Sequence, residues 1–234
     1  MNVSARADVV LFDLDGTLID SAPDLAATVN HMRLIRGLPE VAYPRLRAHV
    51  GSGARGMLLE AFDKKPADAD YEALRQEFMN LYAERLLDTT RVFAAMEPVL
   101  HTLDAQRVRW GIVTNKNARM AQRIAQGLGL DVRHAVLIGG DTTPHAKPHP
   151  APLLEAARRM DVDPLQCVYV GDDERDVLAG RAAGMATLAA AWGYLGVGES
   201  IHDWGADAVL ESPGGLLEWL ALPTPANMQT PLLK

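Results

Sequence analysis

Val9-Val10-Leu11-Phe12-Asp13-Leu14-Asp15-Gly16-Thr17-Leu18 runs four apolar residues straight into two carboxylates two positions apart. An apolar run of this length without polar alternation reads as a strand buried on both faces. Asp13 and Asp15 then stand where the chain leaves the sheet, and both can project over one pocket. Two carboxylates about 4 Å apart repel by roughly 4 kcal/mol at an effective dielectric near 20, so the pair calls for a cation or a shared proton. Magnesium, hard and oxygen-seeking, suits them. Taken alone, the same residues are also explained by one Asp capping a helix and the other forming a turn. An EF-hand loop is a poorer match, because Leu18 stands at the sixth position, where that loop has Gly.

Outward from this strand, similar runs recur at Trp110–Val113, Ala135–Ile138, Cys167–Val170, Ala186–Ala190 and Ala208–Leu210. Helix-like segments separate most of them, at Ala118–Leu128, Pro150–Met160, Glu174–Ala183 and Gly215–Leu220. That alternation predicts an α/β fold with a doubly wound parallel sheet, whose ligands collect beyond the carboxyl ends of the strands. The interval from Ile19 to about Phe93 breaks the pattern. It reads as helices over Pro23–Arg36, Arg55–Phe62 and Tyr71–Leu87, separated by Gly-Leu-Pro and Lys-Lys-Pro-Ala-Asp. A helical insertion directly after the first strand would sit above the strand ends as a lid.

The residues following the other strands carry more chemistry. Thr114-Asn115-Lys116 offers a hydroxyl, an amide and free N–H groups at a helix start, a cradle for phosphate that plain helix capping also explains. Lys147, between His145-Ala146 and Pro148-His149-Pro150, is stiffened by prolines and can neutralise a phosphoryl oxygen, although a surface lysine would look the same. The neighbouring histidines lack a cysteine or carboxylate at transition-metal spacing. Gly171-Asp172-Asp173-Glu174-Arg175-Asp176 is a second acidic cluster at a strand end, which the helix macrodipole alone would favour. Capping does not explain why all these groups follow separate strands. Gly51-Ser52-Gly53-Ala54-Arg55-Gly56 fits the dinucleotide-binding fingerprint, but the preceding Pro44–Val50 is too charged for the buried strand that motif requires. It reads instead as a lid loop, with Arg55 facing the substrate.

The composition narrows the class. The chain has 234 residues, 48% of them hydrophobic, enough for one substantial core and a smaller satellite. A net charge of −7 argues against nucleic-acid and anionic-membrane partners. Cys167 is the only cysteine, which precludes an internal disulfide and points to a reducing compartment. Only four apolar residues follow Met1–Asp8, too few for a secretory signal, and the richest apolar stretch, Met185–Val197, is broken by glycines. A cytoplasmic location is expected. Beyond Pro223 the composition is that of turns, without periodicity.

Together, Asp13-x-Asp15-Gly16-Thr17-Leu18, Thr114-Asn115-Lys116, Lys147-Pro148 and Gly171-Asp172-Asp173-x-x-Asp176 resemble, in order and spacing, the haloacid dehalogenase-like hydrolases and within them the phosphoglycolate phosphatase branch. The resemblance covers nearly the whole chain. It implies a Rossmann-like core over 1–19 and 92–223, an inserted α-helical cap over 20–91 and a flexible tail over 224–234. It further implies a magnesium-dependent phosphomonoester hydrolase acting on a small phosphorylated metabolite through an aspartyl-phosphate. Asp13 would be the nucleophile and Asp15 the general acid and base. Thr114, Asn115 and Lys147 would bind the phosphoryl group. Asp13, the Asp15 carbonyl and Asp172 would hold Mg2+, with Asp173 and Asp176 behind them orienting waters or Lys147.

Asp15 favours phosphate esters over carbon–halogen bonds and phosphonates, because relatives acting on those replace it. Asp173 departs from the Thr or Ser of many phosphoglycolate phosphatases. Gly-Asp-Asp-x-Arg-Asp, with Gly53-Ala54-Arg55 and Gly193-Tyr194-Leu195, is similar to the N-acetylmuramic acid 6-phosphate phosphatases. Both substrates carry a carboxylate that Arg55 or another lid cation would serve. A sugar-phosphate mutase shares every core residue and differs only in retaining the phosphoryl group. A phospho-receiver domain uses similar groups in a different order, in a shorter chain without a lid.

Overall fold

The computed structural model describes residues 7–196 and 198–224. The N-terminal residues 1–6 and, apart from Thr224, the expected tail 224–234 lie outside the described residues, as does Val197. From β1 (Val9–Phe12) the chain turns into β2 (Ile19–Asp20), then runs through α1 (Ala22–Leu34), α2 (Tyr43–Arg47), α3 (Gly53–Phe62) and α4 (Tyr71–Arg85). It returns through β3 (Arg91–Val92), which pairs antiparallel with β2. An alternating series follows: α5 (Met96–Ala105), β4 (Arg109–Val113), α6 (Ala118–Gly127), β5 (Leu137–Ile138), α7 (Ala151–Met160), β6 (Cys167–Gly171), α8 (Glu174–Ala182), β7 (Ala186–Ala190), β8 (Ala208–Leu210) and α9 (Gly214–Trp219).

All six expected strands form one parallel sheet in the order β5-β4-β1-β6-β7-β8. The apolar runs do not alternate because both faces are covered. On β1, Val10 and Phe12 enter one apolar cluster with α5 and α6, while Val9 and Leu11 enter another with α7. β6 repeats this with Val168 and Val170 against Cys167 and Tyr169. The expected strand Ala135–Ile138 is shorter, but Ala135 and Val136 still bond to Trp110 and Ile112. After β5 the chain crosses β1 to start β6, so β1 is the reversal point and its loop meets those of β4 and β6.

Between β2 and β3, α1 packs against α2, α3 and α4. Leu25, Val29, Met57, Phe78 and Tyr82 of this helical layer join the same apolar cluster as Val10 and Phe12. A buried carboxylate ties its two connections together. Asp24, 2% exposed in the first turn of α1, accepts from the N–H of Thr89 at 2.9 Å and the N–H and hydroxyl of Thr90 at 2.9 and 2.7 Å, and also from the Thr89 hydroxyl. No helix among the described residues is long and apolar enough to cross a membrane.

Candidate active site

The turn after β1 is shaped for close approach. Leu18 and Ile19 donate back to the Leu14 carbonyl, and Gly16 lies at φ +87°, the left-handed region that favours glycine. A Cβ on Gly16 would stand 2.1 Å from Asp172 Oδ2, so only glycine lets the first loop reach the carboxylate that follows β6. Thr17 then donates to Asp172 Oδ1 at 2.7 Å, and the Tyr194 N–H donates to Oδ2 at 2.7 Å. These contacts bring together two loops separated by more than half the chain.

Asp13, Asp172 and Asp176 each place a carboxylate oxygen within 4.8 Å of the others. Lys147 threads between them. Its Nζ lies 2.8 Å from Asp13 Oδ1, 2.7 Å from Asp176 Oδ1, 2.6 Å from the Tyr169 hydroxyl and 3.1 Å from the Val113 carbonyl, four acceptors for three donors. Burial would pull Lys147 down, but Asp13 and Asp176 carry its pKa above the usual value. Burial pushes the Asp13 carboxyl up to about 6 despite Lys147, with Asp176 adding to the rise. Asp172 is held well above the carboxylate range by burial, then by the charges of Asp13 and Asp176. One lysine thus faces three carboxylates, and in a largely buried site the rest of that negative charge wants a cation.

Asp15 stands beside this group with a different environment. Its Oδ1 accepts from the Ser21 hydroxyl and from Lys116 Nζ at 2.7 Å, leaving Oδ2 for another partner. Lys116 also donates to the Tyr82 hydroxyl of α4 at 2.8 Å, and the ring lies beneath its ammonium. Burial pulls Lys116 down, but Asp15 and Tyr82 more than offset it. Thr114 is buried after β4, its hydroxyl accepting from the Lys116 N–H at 3.1 Å.

These groups line a cavity of about 270 Å3, roofed by Leu25, Val50–Ala54, Phe78, Met79 and Tyr82 of the helical layer. Five carboxylates line it, Asp13, Asp15, Asp172, Asp173 and Asp176, against three cations, Lys116, Lys147 and Arg175. The excess of two negative charges, concentrated on oxygen donors, matches one hard divalent ion.

A family model described as haloacid dehalogenase-like hydrolase matches residues 7–184. The chain belongs to the haloacid dehalogenase-like hydrolases. It is 51% identical over 216 residues to a phosphoglycolate phosphatase of Xanthomonas campestris pv. campestris, covering 92% of this chain and 97% of that one. It is 40% identical over 208 residues to an N-acetylmuramic acid 6-phosphate phosphatase of Pseudomonas putida, covering 89% and 93%. Among solved structures, one from Haemophilus somnus described as a predicted phosphoglycolate phosphatase superposes with TM-score 0.79 at 28% identity, over 93% of this chain and 99% of that one.

In this hydrolase the structure brings Asp13, Asp15, Thr114, Lys147, Asp172 and Asp176 to one cavity. Three other expected residues are used differently. Arg55 is exposed on α3 and does not line the cavity, although its neighbours Gly51–Ala54 do. Asn115 lines it, but its side chain is spent on Lys147, donating to the carbonyl and accepting from the N–H at 2.9 Å each. It therefore shapes the Lys147 loop. Asp173 does not touch Lys147. It caps α8 in a box with Asp176 and grips the Arg175 side chain, which holds its own carboxyl below the usual range against the opposing effect of burial. The glycine-rich stretch 51–56 forms a 3-10 turn and the start of α3 at the cavity wall, with no strand before it.

Sequence reasoning gave no role to Lys116, Tyr82, Tyr194 or Arg175. Lys116 sat inside a quoted motif and was legible as a cation beside Thr114. Tyr194 follows Gly193 and spans two jobs: its N–H holds Asp172, while its hydroxyl accepts from the N–H groups of Ser21 and Ala22 at the start of α1 and donates to Asp20 at 2.8 Å. Nothing local to residue 194 signals that reach.

Proposed function

We propose that this hydrolase is a magnesium-dependent phosphatase of small phosphorylated carboxylic acids, working through an aspartyl-phosphate on Asp13. The observation that carries the reading is the single lysine, Lys147, that bridges Asp13 and Asp176 beside the buried Asp172. In the proposed reaction an Asp13 carboxylate oxygen attacks phosphorus, and the bond to the leaving oxygen breaks. Asp15, anchored through Oδ1, gives that oxygen its proton from Oδ2 and then takes one from the water that cleaves the acyl phosphate. The Thr114 hydroxyl binds the phosphoryl oxygens, and the ammonium charge of Lys147 neutralises the charge that spreads over them. Asp13, the Asp15 carbonyl and Asp172 would hold Mg2+, which would supply the positive charge that an anionic nucleophile needs beside an anionic ester. Asp176 keeps Lys147 in place. Residues 20–91 act as the cap that excludes water, and the reaction belongs in the cytoplasm, consistent with a chain whose one cysteine is buried and free.

The favoured substrate is phosphoglycolate, supported by the relatives at the highest identity given above. A second reading, N-acetylmuramic acid 6-phosphate, draws on the cavity. Leu25, Val50, Phe78, Met79 and Met120 offer apolar surface that a two-carbon acid leaves unused, and a ring with an acetyl group would cover it. The two are separated by comparing kcat/KM on both esters with magnesium present. Asp13→Asn tests the chemistry: phosphate release falls to background while the circular dichroism spectrum is unchanged. Turnover persisting in that variant would remove Asp13 as the nucleophile.

A further inference from the structure

The cation expected to read the non-phosphate end of the substrate was Arg55 in the lid, and it faces solvent. Three cations do line the cavity, and two are already committed to the chemistry: Lys147 to Asp13 and Asp176, and Lys116 to Asp15 and Tyr82. Arg175, from the core and not from the lid, is the third. Its guanidinium has five N–H donors. Nε donates to Asp173 Oδ1 at 2.7 Å, and Nη2 donates to Asp173 Oδ2 at 2.8 Å and to the Gly51 carbonyl of the lid loop at 2.6 Å. Both N–H groups of Nη1 have no protein acceptor among the described residues. The side chain is 40% exposed, at a wall shared by the catalytic floor and the lid loop.

We infer that Arg175 is the residue that selects a carboxylate on the substrate, presenting Nη1 to it in the cavity that Asp13 also lines. This deepens the phosphatase reading above and rests on it. Three features of the arrangement suit that task. The Asp173 fork and the Gly51 carbonyl fix the guanidinium before a ligand arrives, so little side-chain freedom is lost on binding. The hydrogen bond to Asp173 and its charge hold Arg175 above its usual pKa against the effect of burial, so the group stays cationic at any working pH. Of the three cations in the wall Arg175 keeps the most donors free of a protein acceptor among the described residues, the two of Nη1, against one on Lys116 beyond its bonds to Asp15 and Tyr82. Asp173 then has a purpose: it is the carboxylate that orients the reader. Gly51 sits close enough that a Cβ there would lie 3.4 Å from Asp173 Oδ2, so the lid loop is seated on the same pair.

The competing account is that Arg175 merely latches the lid loop through Gly51. The two accounts separate on a pair of two-carbon esters, phosphoglycolate and 2-hydroxyethyl phosphate, in which a hydroxymethyl group takes the place of the carboxylate. A charge-assisted hydrogen bond to a carboxylate corresponds to about 10- to 150-fold in selectivity. Arg175→Gln should lower kcat/KM for phosphoglycolate at least about 10-fold more than for 2-hydroxyethyl phosphate, through KM first. Arg175→Lys, which keeps the charge and loses the fork, should fall between and carries the test should the Gln variant not fold. An equal loss on both esters means a latch and overturns the inference, as does no loss on either. Failure of the phosphatase reading is distinct: the wild-type protein would then release phosphate from neither ester with magnesium present.

Discussion

Replacing Asp172 by Asn asks whether the floor of the cavity is folded against charge repulsion that a cation relieves. One oxygen from each of Asp13, Asp172 and Asp176 lies within 4.8 Å of the others, and Lys147 supplies one positive charge to the three. At that separation two unit charges repel by about 3 kcal/mol at an effective dielectric near 20. Asn removes the Asp172 charge and keeps the hydrogen bonds: the amide oxygen accepts from the Tyr194 N–H, and the amide nitrogen donates to the Thr17 hydroxyl once it turns. At about 2–4 °C per kcal/mol for a chain of this size, the metal-free variant should melt about 6–12 °C above wild type near pH ~8. The pH dependence has a definite sign. Asp13 ionises at about 6, above its usual 3.8, so its contribution to stability is complete below 3.8 and lost as pH rises through about 6. The gap between variant and wild type therefore narrows toward pH ~5, because Asp13 is protonated below about 6 and Asp172, held well above the carboxylate range by burial and by the charges of Asp13 and Asp176, takes up its proton too. Calorimetry in chelator and in millimolar magnesium provides the test, with magnesium raising wild type and leaving the variant unmoved. A metal-free variant melting at or below wild type near pH ~8, with magnesium shifting both alike, would refute the reasoning.

Two further substitutions probe the scaffold. Asp24→Ala strands four donors from Thr89 and Thr90, at about 1 kcal/mol or more each, and should lower the melting temperature by roughly 8 °C or more and expose the Thr89 region to limited proteolysis. Melting within about 2 °C of wild type would show that the clasp carries no stability. Gly16→Ala combines left-handed backbone strain of about 1–3 kcal/mol with a Cβ driven into Asp172, and should abolish the magnesium-dependent rise in melting temperature along with activity. Unchanged magnesium affinity by titration calorimetry would count against the close approach.

How much was legible in the sequence followed from how local each signal is. The six strands announced themselves because burial on both faces demands unbroken apolar runs, as in Val9–Phe12 and Cys167–Val170. The parallel order then put Asp13, Thr114, Lys147 and Asp172 at one edge, since residues after such strands share an end of the sheet. Short elements escaped. β2 and β3 have two residues each and α2 has five, below what any periodicity resolves, and α5 carries Pro98 within its first turn. Side-chain direction escaped as well. Arg55 and Arg175 are equally plausible pocket cations as letters, and the choice depends on which face of α3 and α8 each occupies. Asn115 and Asp173 bond to groups a few residues or a loop away, where composition says only that they are good caps.

The Asp24 clasp means that the chain departs for the helical layer and comes back through a single doorway. Whatever is hung between those two jambs must still offer a partner to Lys116, as Tyr82 does, and to Arg175, as the Gly51 carbonyl does, so the upper storey and the ground plan are drawn together. With a discriminating guanidinium rooted downstairs, at Arg175, and one of its braces, the Gly51 carbonyl, in the roof, a transplanted roof would have to rebuild that brace to keep the taste for acids.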